Sequence, residues 1–314
     1  AGVAWTDLHE QLFLELKHMA PMASRLGRSR CRKIHSEALL HAYEQFSGGS
    51  EKPSIAIVDW KEVTTRIECF LNKEYFERLG FEAAVADPRE AELRRGKLYL
   101  AGKPVQLVYR RAIIGELIER RDEPGVSDFL RAYETRAACF VNPFSAKIAG
   151  AKSFFEVLSS PEFDKLFTRH QNDTRKKVVP FTRVLRPRPV SYGGRRWDIF
   201  ELAARRKDEF VIKPTFGYGG RGVHIGRETA SATWSRMVDD AARQPGRWTL
   251  QKYVPIPEED FPVVSRTIRL ERRKINLNPY LFGGRYAGIF ARLSKSSVIN
   301  VSQGGGMVPV FVLK

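Results

Sequence analysis

Apolar residues change period along the chain, and each change marks an element. Leu8, Leu12, Phe13 and Leu16 fall at helical spacing, Pro21 interrupts them, and a second stripe through Ile34, Leu39 and Phe46 ends at Ser47-Gly48-Gly49-Ser50. That small-residue stretch reads as a linker after an N-terminal helical segment. The period then shortens. Ser54-Ile55-Ala56-Ile57-Val58-Asp59 is an apolar run closed by an acid, Thr65 to Leu79 is helical with Gly80 as its stop, and Phe81 to Ala86 is a second strand. Lys97 to Leu100 reads as a hairpin arm and Val105 to Tyr109 as a third strand. This alternation of strand and helix predicts a small open parallel sheet.

A second half starts near Asn142-Pro143. A helix over Lys152 to Leu158 leads through a basic, loose stretch to Val178-Val179-Pro180, and then to Arg186-Pro187-Arg188-Pro189, whose prolines push their predecessors away from helix. Phe210 to Lys213 is a strand, Gly217 to Gly222 a loop, Ala230 to Ala242 a helix and Trp248 to Val254 another strand. Leu277 to Phe282 and Tyr286 to Leu293 read as two strands about Gly283-Gly284. The chain is therefore α/β, with no internal repeat and no long low-complexity tract.

At 314 residues, 43% hydrophobic and 28% charged, the composition is globular, fits about two domains and excludes intrinsic disorder. No uncharged apolar run approaches ~18 residues and no basic-then-apolar leader opens the chain, so a soluble protein is expected. Cys31, Cys69 and Cys139 lie far apart with no Cys-x-x-Cys pair, which argues against a disulfide framework and fits a reducing, cytoplasmic compartment. Charge changes the picture more. Lys and Arg number 53 against 36 Asp and Glu, a balance of +17, so the expected partners are polyanions: nucleic acid, or phosphates handled by an enzyme. Basic clusters at Arg25–Lys33, Arg169–Lys177, Arg205–Lys207 and Arg266–Lys274 show no zinc-finger spacing, no aromatic-interleaved RNA motif and no basic heptads. Each alone reads as a solvated face.

The most informative segment is Val211-Ile212-Lys213-Pro214-Thr215-Phe216-Gly217-Tyr218-Gly219-Gly220-Arg221-Gly222-Val223, where a strand delivers a lysine and four of the next nine residues are glycine. Glycine permits positive φ and close backbone approach, so successive N–H groups converge on phosphate oxygens while Lys213 adds a point charge. The spacing is not that of the P-loop, since no Gly-Lys-Ser/Thr closes it, nor that of the dinucleotide fingerprint. Alone, such a loop is equally a flexible hairpin with no ligand.

Its neighbours add to it. Leu250-Gln251-Lys252-Tyr253-Val254 follows, then Arg292-Leu293-Ser294 and Val298-Ile299-Asn300-Val301-Ser302-Gln303-Gly304-Gly305-Gly306. Strand lysine, Gly-rich loop, Gln-x-Tyr-Val, then Arg and Asn-x-x-x-Gly-Gly: this order resembles the ATP-grasp superfamily, in which two α+β subdomains clamp ATP. Residues 52–62, Val85 to Glu90, Val108 to Arg111, Val141 to Ser145 and Pro180 to Arg183 look like successive blocks of the circularly permuted ATP-grasp proteins, relatives of glutathionylspermidine synthase. The resemblance implies a helical segment over residues 1–50, a Rossmann-like pre-ATP-grasp domain over 51–140 and the ATP-grasp domain over 141–314. It also implies an ATP-dependent carboxylate–amine ligase that works through an acyl phosphate, with ATP and Mg²⁺ as cofactors and small-molecule or peptide acids and amines as substrates. By the same resemblance Lys213, Gly217, Gly219, Gly220 and Gly222 hold phosphates, and the backbone of Gln251, Lys252, Tyr253 and Val254 meets adenine. Lys152 matches the earlier ATP-binding lysine, with Lys147 as its rival.

The family's acidic metal strand usually reads Glu-x-Asn and precedes a Pro-Ala-Gly segment, but here Val298 stands two residues before Asn300. Ala1-Gly2-Val3-Ala4-Trp5-Thr6-Asp7 looks like the tail of that segment, so the Mg²⁺ carboxylates are expected upstream of Ala1. Asp7 and Glu10, as substitutes, read as solvated helix-surface acids. Arg292 is the expected contact of the γ-phosphate or acyl phosphate, against a structural ion pair, and Asn300 contacts phosphate or substrate. Arg110 and Arg111 follow a strand end, where open α/β sheets collect ligands; one holds the substrate carboxylate, or pairs with Glu116. Arg183 is an anion contact or a structural residue. Cys31 and His35 have a metal-compatible spacing but no further ligands beside them. Three other readings stay open: an ATP-grasp kinase, an inactive ATP-grasp scaffold, and a basic nucleic-acid-binding protein.

Overall fold

The computed structural model describes residues 2–49, 51–264, 266–299 and 305–314. The chain divides into two compact units, one made of Ala1–Ala146, Leu277–Arg292 and Met307–Lys314, the other of Lys147–Asn276 and Leu293–Gly306.

In the first unit, helices α1 (Val3–Leu14) and α2 (Cys31–Ser47) precede a parallel sheet of β1 (Ile55–Val58), β2 (Ala83–Ala86), β3 (Leu107–Arg110) and β4 (Cys139–Val141), in spatial order β2-β1-β3-β4. All of β1 is buried, as a parallel strand covered on both faces requires. Alternation divides its side chains between two cores. Ile55 and Ile57 join Leu107 and Tyr109 against Leu39 and Tyr43 of α2 and Cys69 and Phe76 of α3 (Arg66–Arg78), whereas Ala56 and Val58 join Val108 against Phe129 of α4 (Val126–Glu134). A smaller core unites Val3, Cys31 and Ile34 with Tyr280, Phe282 and Ala287 from late in the chain.

The start of α2 has no capping side chain of its own. Asp7 of α1 supplies the cap, accepting from Cys31 N and Arg32 N at 3.0 Å each, and Glu10 accepts from Ser29 N at 2.7 Å. These acids are therefore docking groups rather than solvated ones, because the orphan amides of α2 need acceptors.

In the second unit a short helix, α5 (Phe154–Ser159), leads to an antiparallel sheet of β5 (Thr182–Val184), β6 (Phe210–Pro214), β7 (His224–Ile225) and β8 (Trp248–Lys252), in order β7-β6-β8-β5. Phe210, Ile212 and Leu250 pack on Leu202 of α6 (Ile199–Arg205) and on Trp234 and Val238 of α7 (Ser231–Arg243). The basic stretch expected to be loose contains a helix, Arg169–Val178. Thr168 and Gln171 form a capping box at its start, and buried Arg175 donates to Leu158 O at 2.9 Å and Asn172 Oδ1 at 2.7 Å.

A third sheet runs in order β9 (Glu258–Val264), β10 (Ile268–Phe282), β11 (Arg285–Ser294) and β12 (Gly306–Val308). β10 begins well before Leu277, through the cluster Arg269–Lys274. Acids of β9 lie opposite these cations, Glu258 facing Lys274 and Asp260 facing Arg272, so a strand reads as a charged surface run in sequence.

Asp87, just after β2, is fully buried and accepts from Lys61 N at 2.8 Å, Arg89 N at 2.9 Å and the Arg89 guanidinium at 2.8 and 2.7 Å. Burial pushes its carboxyl up, but the Arg89 and main-chain hydrogen bonds outweigh burial and hold it below the ordinary aspartate value. A depressed native pKa stabilises the fold above the usual carboxylate range, and that contribution disappears as pH falls through it. Asp87→Ala is expected to cost roughly 3 kcal/mol in urea denaturation at neutral pH, with the gap to wild type narrowing below about pH 4.

Candidate functional site

β6 delivers Lys213, and beyond Pro214 the chain turns through Gly217, Gly219, Gly220 and Gly222, whose φ angles are 152°, 69°, 76° and 69°. A side chain at any of these would be strained, so the loop takes this course only because glycine stands at all four places. Lys152, just before α5, ties the loop down: its main-chain N–H donates to Thr215 O at 2.9 Å and its Nζ to Gly217 O at 2.8 Å. Lys147 Nζ lies 5.1 Å from the centre of the Phe216 ring. The two rival lysines thus reach the same loop, where Phe216 and Tyr218 are exposed.

Register decides what else shares the face of Lys213. Lys213 pairs with Thr249, Val211 with Gln251, and Gln251 with Thr182. Lys213, Gln251 and Thr182 consequently project from one face, and Ile212, Leu250 and Arg183 from the other. Lys213 Nζ donates to Gln251 Oε1 at 2.6 Å, and Gln251 Nε2 donates to Thr182 Oγ1 at 2.9 Å. Arg183 is buried on the far side, where its Nη1 donates to Ser159 Oγ at 3.1 Å and Thr182 O at 2.7 Å and its guanidinium lies 4.4 Å from the Phe181 ring centre. Thr182 lies in the block Pro180 to Arg183, where only Arg183 was singled out in sequence; the strand register is what brings Thr182 to the site. At the far end of β8, Lys252 N donates to Phe181 O at 2.8 Å and Tyr253 N to Glu209 O at 2.7 Å, and Val254 is exposed where the chain leaves the strand.

The electrostatics of this group are one-signed. Burial, and after it the charge of Lys152, holds the Lys213 ammonium below the ordinary lysine value. Burial and then Lys147 do the same to Lys152. Like charges brought together around this glycine-rich loop favour an entering anion.

Arg110, Arg111 and Arg292 belong to the first unit. Arg110 is buried and committed to main chain, donating to Asn142 O at 2.7 Å and Ala112 O at 2.5 Å with Phe144 against its guanidinium. Arg111, at the carboxyl ends of β1 and β3, donates to Asp59 Oδ2 and Thr65 Oγ1, both at 3.3 Å, while its buried Nη1 has no hydrogen-bond partner among the described residues. Its ion pair is with Asp59; Glu116 accepts from the Trp60 indole at 2.7 Å. This is where the strand order reverses, between β1 and β3, the usual place for a ligand in an open parallel sheet. Arg292 of β11 is half-buried, and its Nη2 lies 3.4 Å from Asn278 Oδ1. Asn300 and Gly304 lie outside the described residues.

Cys31 Sγ donates to Ala287 O at 3.3 Å, and His35 packs between the Tyr109 and Phe282 rings, where burial pushes its pKa down to about 3. Among the described residues no group of three or more His, Cys, Asp and Glu side chains is placed to hold a metal ion, and no helix is long and apolar enough to cross a membrane.

No protein-family model and no curated protein matches the sequence. Among solved structures, a glutathione synthetase-like effector from Globodera pallida, in its apo form, aligns over 99% of this chain and 68% of its own with a TM-score of 0.60 and 11% identity. The fold is glutathione synthetase-like. D-alanyl-alanine synthetase A from Vibrio cholerae O1 biovar eltor aligns over 72% of this chain and 68% of its own at 11% identity, but its TM-score of 0.35 adds no argument. The first likeness agrees, at the level of fold, with the mixed α/β layout.

Lys152→Met removes the like charge that, after burial, depresses Lys213. The variant is expected to raise the pH at which Lys213 titrates, followed by ¹³C NMR of reductively methylated lysines.

Proposed function

We propose that this chain is an ATP-dependent ligase of the circularly permuted ATP-grasp type, joining a carboxylate to an amine through an acyl phosphate. The reading is carried by the meeting of Lys152 and Lys213 at a loop whose four glycines all hold positive φ. Lysine ammoniums and main-chain N–H groups only donate, so the cradle suits phosphate oxygens. The glutathione synthetase-like fold agrees with amide-bond formation.

In this reading Lys152, Lys213 and the loop hold the nucleotide's phosphates, and the stretch Gln251 to Val254 meets the adenine. The nucleotide supplies a phosphoryl group: an oxygen of the substrate carboxylate takes the γ-phosphoryl and ADP leaves. An amine then attacks the acyl carbon, inorganic phosphate departs, and the nitrogen loses a proton. This chemistry asks for stabilised charge rather than a nucleophilic side chain. Arg292 is the proposed partner of the transferring phosphoryl group and Asn300 a further contact. Arg111, with its unpaired nitrogen at the switch point, is proposed for the substrate carboxylate; Arg110 and Arg183, held by carbonyls, are assigned to the scaffold. The described residues offer no set of three acids for Mg²⁺, so no step is routed through a metal.

ADP release across a panel of acids and amines tests the proposal. Wild type is expected to release ADP only when both are present, with Lys213→Ala slower by roughly 10²-fold or more. Release without amine indicates a kinase, no release a scaffold, and salt-steep binding to nucleic acid without hydrolysis the third alternative. Equal ADP release by wild type and Lys213→Ala sinks the phosphate assignment. Arg292→Met is expected to slow turnover by about 10²-fold while nucleotide affinity, read with a fluorescent ATP analogue, changes less than about threefold.

A further inference from the structure

We propose that Gln251 is a positioning residue for Lys213: through an amide held in one orientation by Thr182, it fixes the lysine's ammonium on the site face without neutralising it. The inference rests on the ligase reading only for the purpose of that positioning, since the geometry is read from the protein alone.

The Lys213 ammonium can only donate, so the atom 2.6 Å from it must be the Gln251 carbonyl oxygen and not the amide nitrogen. The nitrogen then points the opposite way and needs an acceptor, which Thr182 Oγ1 provides at 2.9 Å. The threonine hydroxyl has one proton, and it goes to Pro180 O at 3.0 Å. Donation therefore runs in one direction, from Lys213 to Gln251 and from Gln251 through Thr182 to a main-chain carbonyl. Flipping the amide would set donor against donor at the lysine, and would leave Thr182 Oγ1 without the N–H it now accepts. The backbone supplies the reach. Lys213 and Gln251 are diagonal neighbours on adjacent antiparallel strands, about 7–8 Å apart at the backbone, which long side chains span.

A neutral acceptor here has a chemical consequence. A carboxylate at position 251 would form an ion pair and cancel the charge that an anionic ligand needs to meet. The amide directs the ammonium and leaves its charge in place. Among the described residues, the charged side chains that act on Lys213 and its neighbour are cationic: Lys152, from the segment before α5, and Lys147 behind it.

The test uses the full chain, with Gln251→Met, Gln251→Glu and Thr182→Val each checked for an intact thermal transition. Two readouts are taken: the titration of methylated Lys213 by ¹³C NMR without nucleotide, and the affinity for a fluorescent ATP analogue. Gln251→Met is expected to lower the pH at which Lys213 titrates and to weaken the analogue about tenfold, the worth of one hydrogen bond to a charged group. Gln251→Glu is expected to raise the titration yet still weaken the analogue, because its charge competes with phosphate. Thr182→Val is expected to act in the same direction as Gln251→Met but less, and to add nothing when the two are combined. Unchanged Lys213 titration in Gln251→Met, or strictly additive effects in the double variant, overturns the proposal. If wild type fails to bind the analogue while Gln251→Met still shifts Lys213, the positioning stands and the nucleotide reading falls.

Discussion

Two antiparallel strands, Phe210–Pro214 and Trp248–Lys252, oblige every second side chain to leave the core. Phe210, Ile212 and Leu250 are drawn inward by α6 and α7, and that burial compels Lys213 and Gln251 to face the other way. The register is held by an aromatic and aliphatic cluster on the face away from Lys213. A slip of one residue would bury a lysine and expose an isoleucine, so the packing on one face enforces the chemistry of the opposite face. The same constraint carries Thr182 into the site and turns its neighbour Arg183 out of it.

Electrostatics and backbone conformation reinforce each other at the loop. Lys152 uses both its amide and its ammonium to hold the strand's continuation, so a group that repels Lys213 is nonetheless kept near it. Such a cluster is unfavourable by itself and becomes favourable with an anion present. The glycines allow the chain to stay close without adding side chains that would fill the space between the lysines.

Much of this organisation was legible in the residues. The unbroken apolar run Ile55–Val58 announces a strand buried on both faces, and the density of glycine after Lys213 announces a loop with unusual φ. What stayed hidden depends on partners distant in sequence. Nothing local distinguishes Thr182 from Arg183; the difference is which of them lies across from Gln251. Arg110 and Arg111 look alike until Asn142 O and Ala112 O claim the first and Asp59 the second. The acids of β9 that make Arg269–Lys274 a strand act across a sheet, and Asp7 caps a helix that begins after an intervening turn. The helix Arg169–Val178 was readable, since Thr168 and Gln171 have the spacing of a capping box, but its strongly polar composition spoke louder than that signal.

The interrupted makeup of the first unit bears on how the protein is synthesised. Val3, Cys31 and Ile34 leave the ribosome long before the Tyr280, Phe282 and Ala287 side chains that cover them. Until then that apolar patch lacks these native partners, so the nascent chain carries an exposed hydrophobic surface while the intervening residues are made. For the same reason, residues 1–146 expressed alone would lack part of their own core.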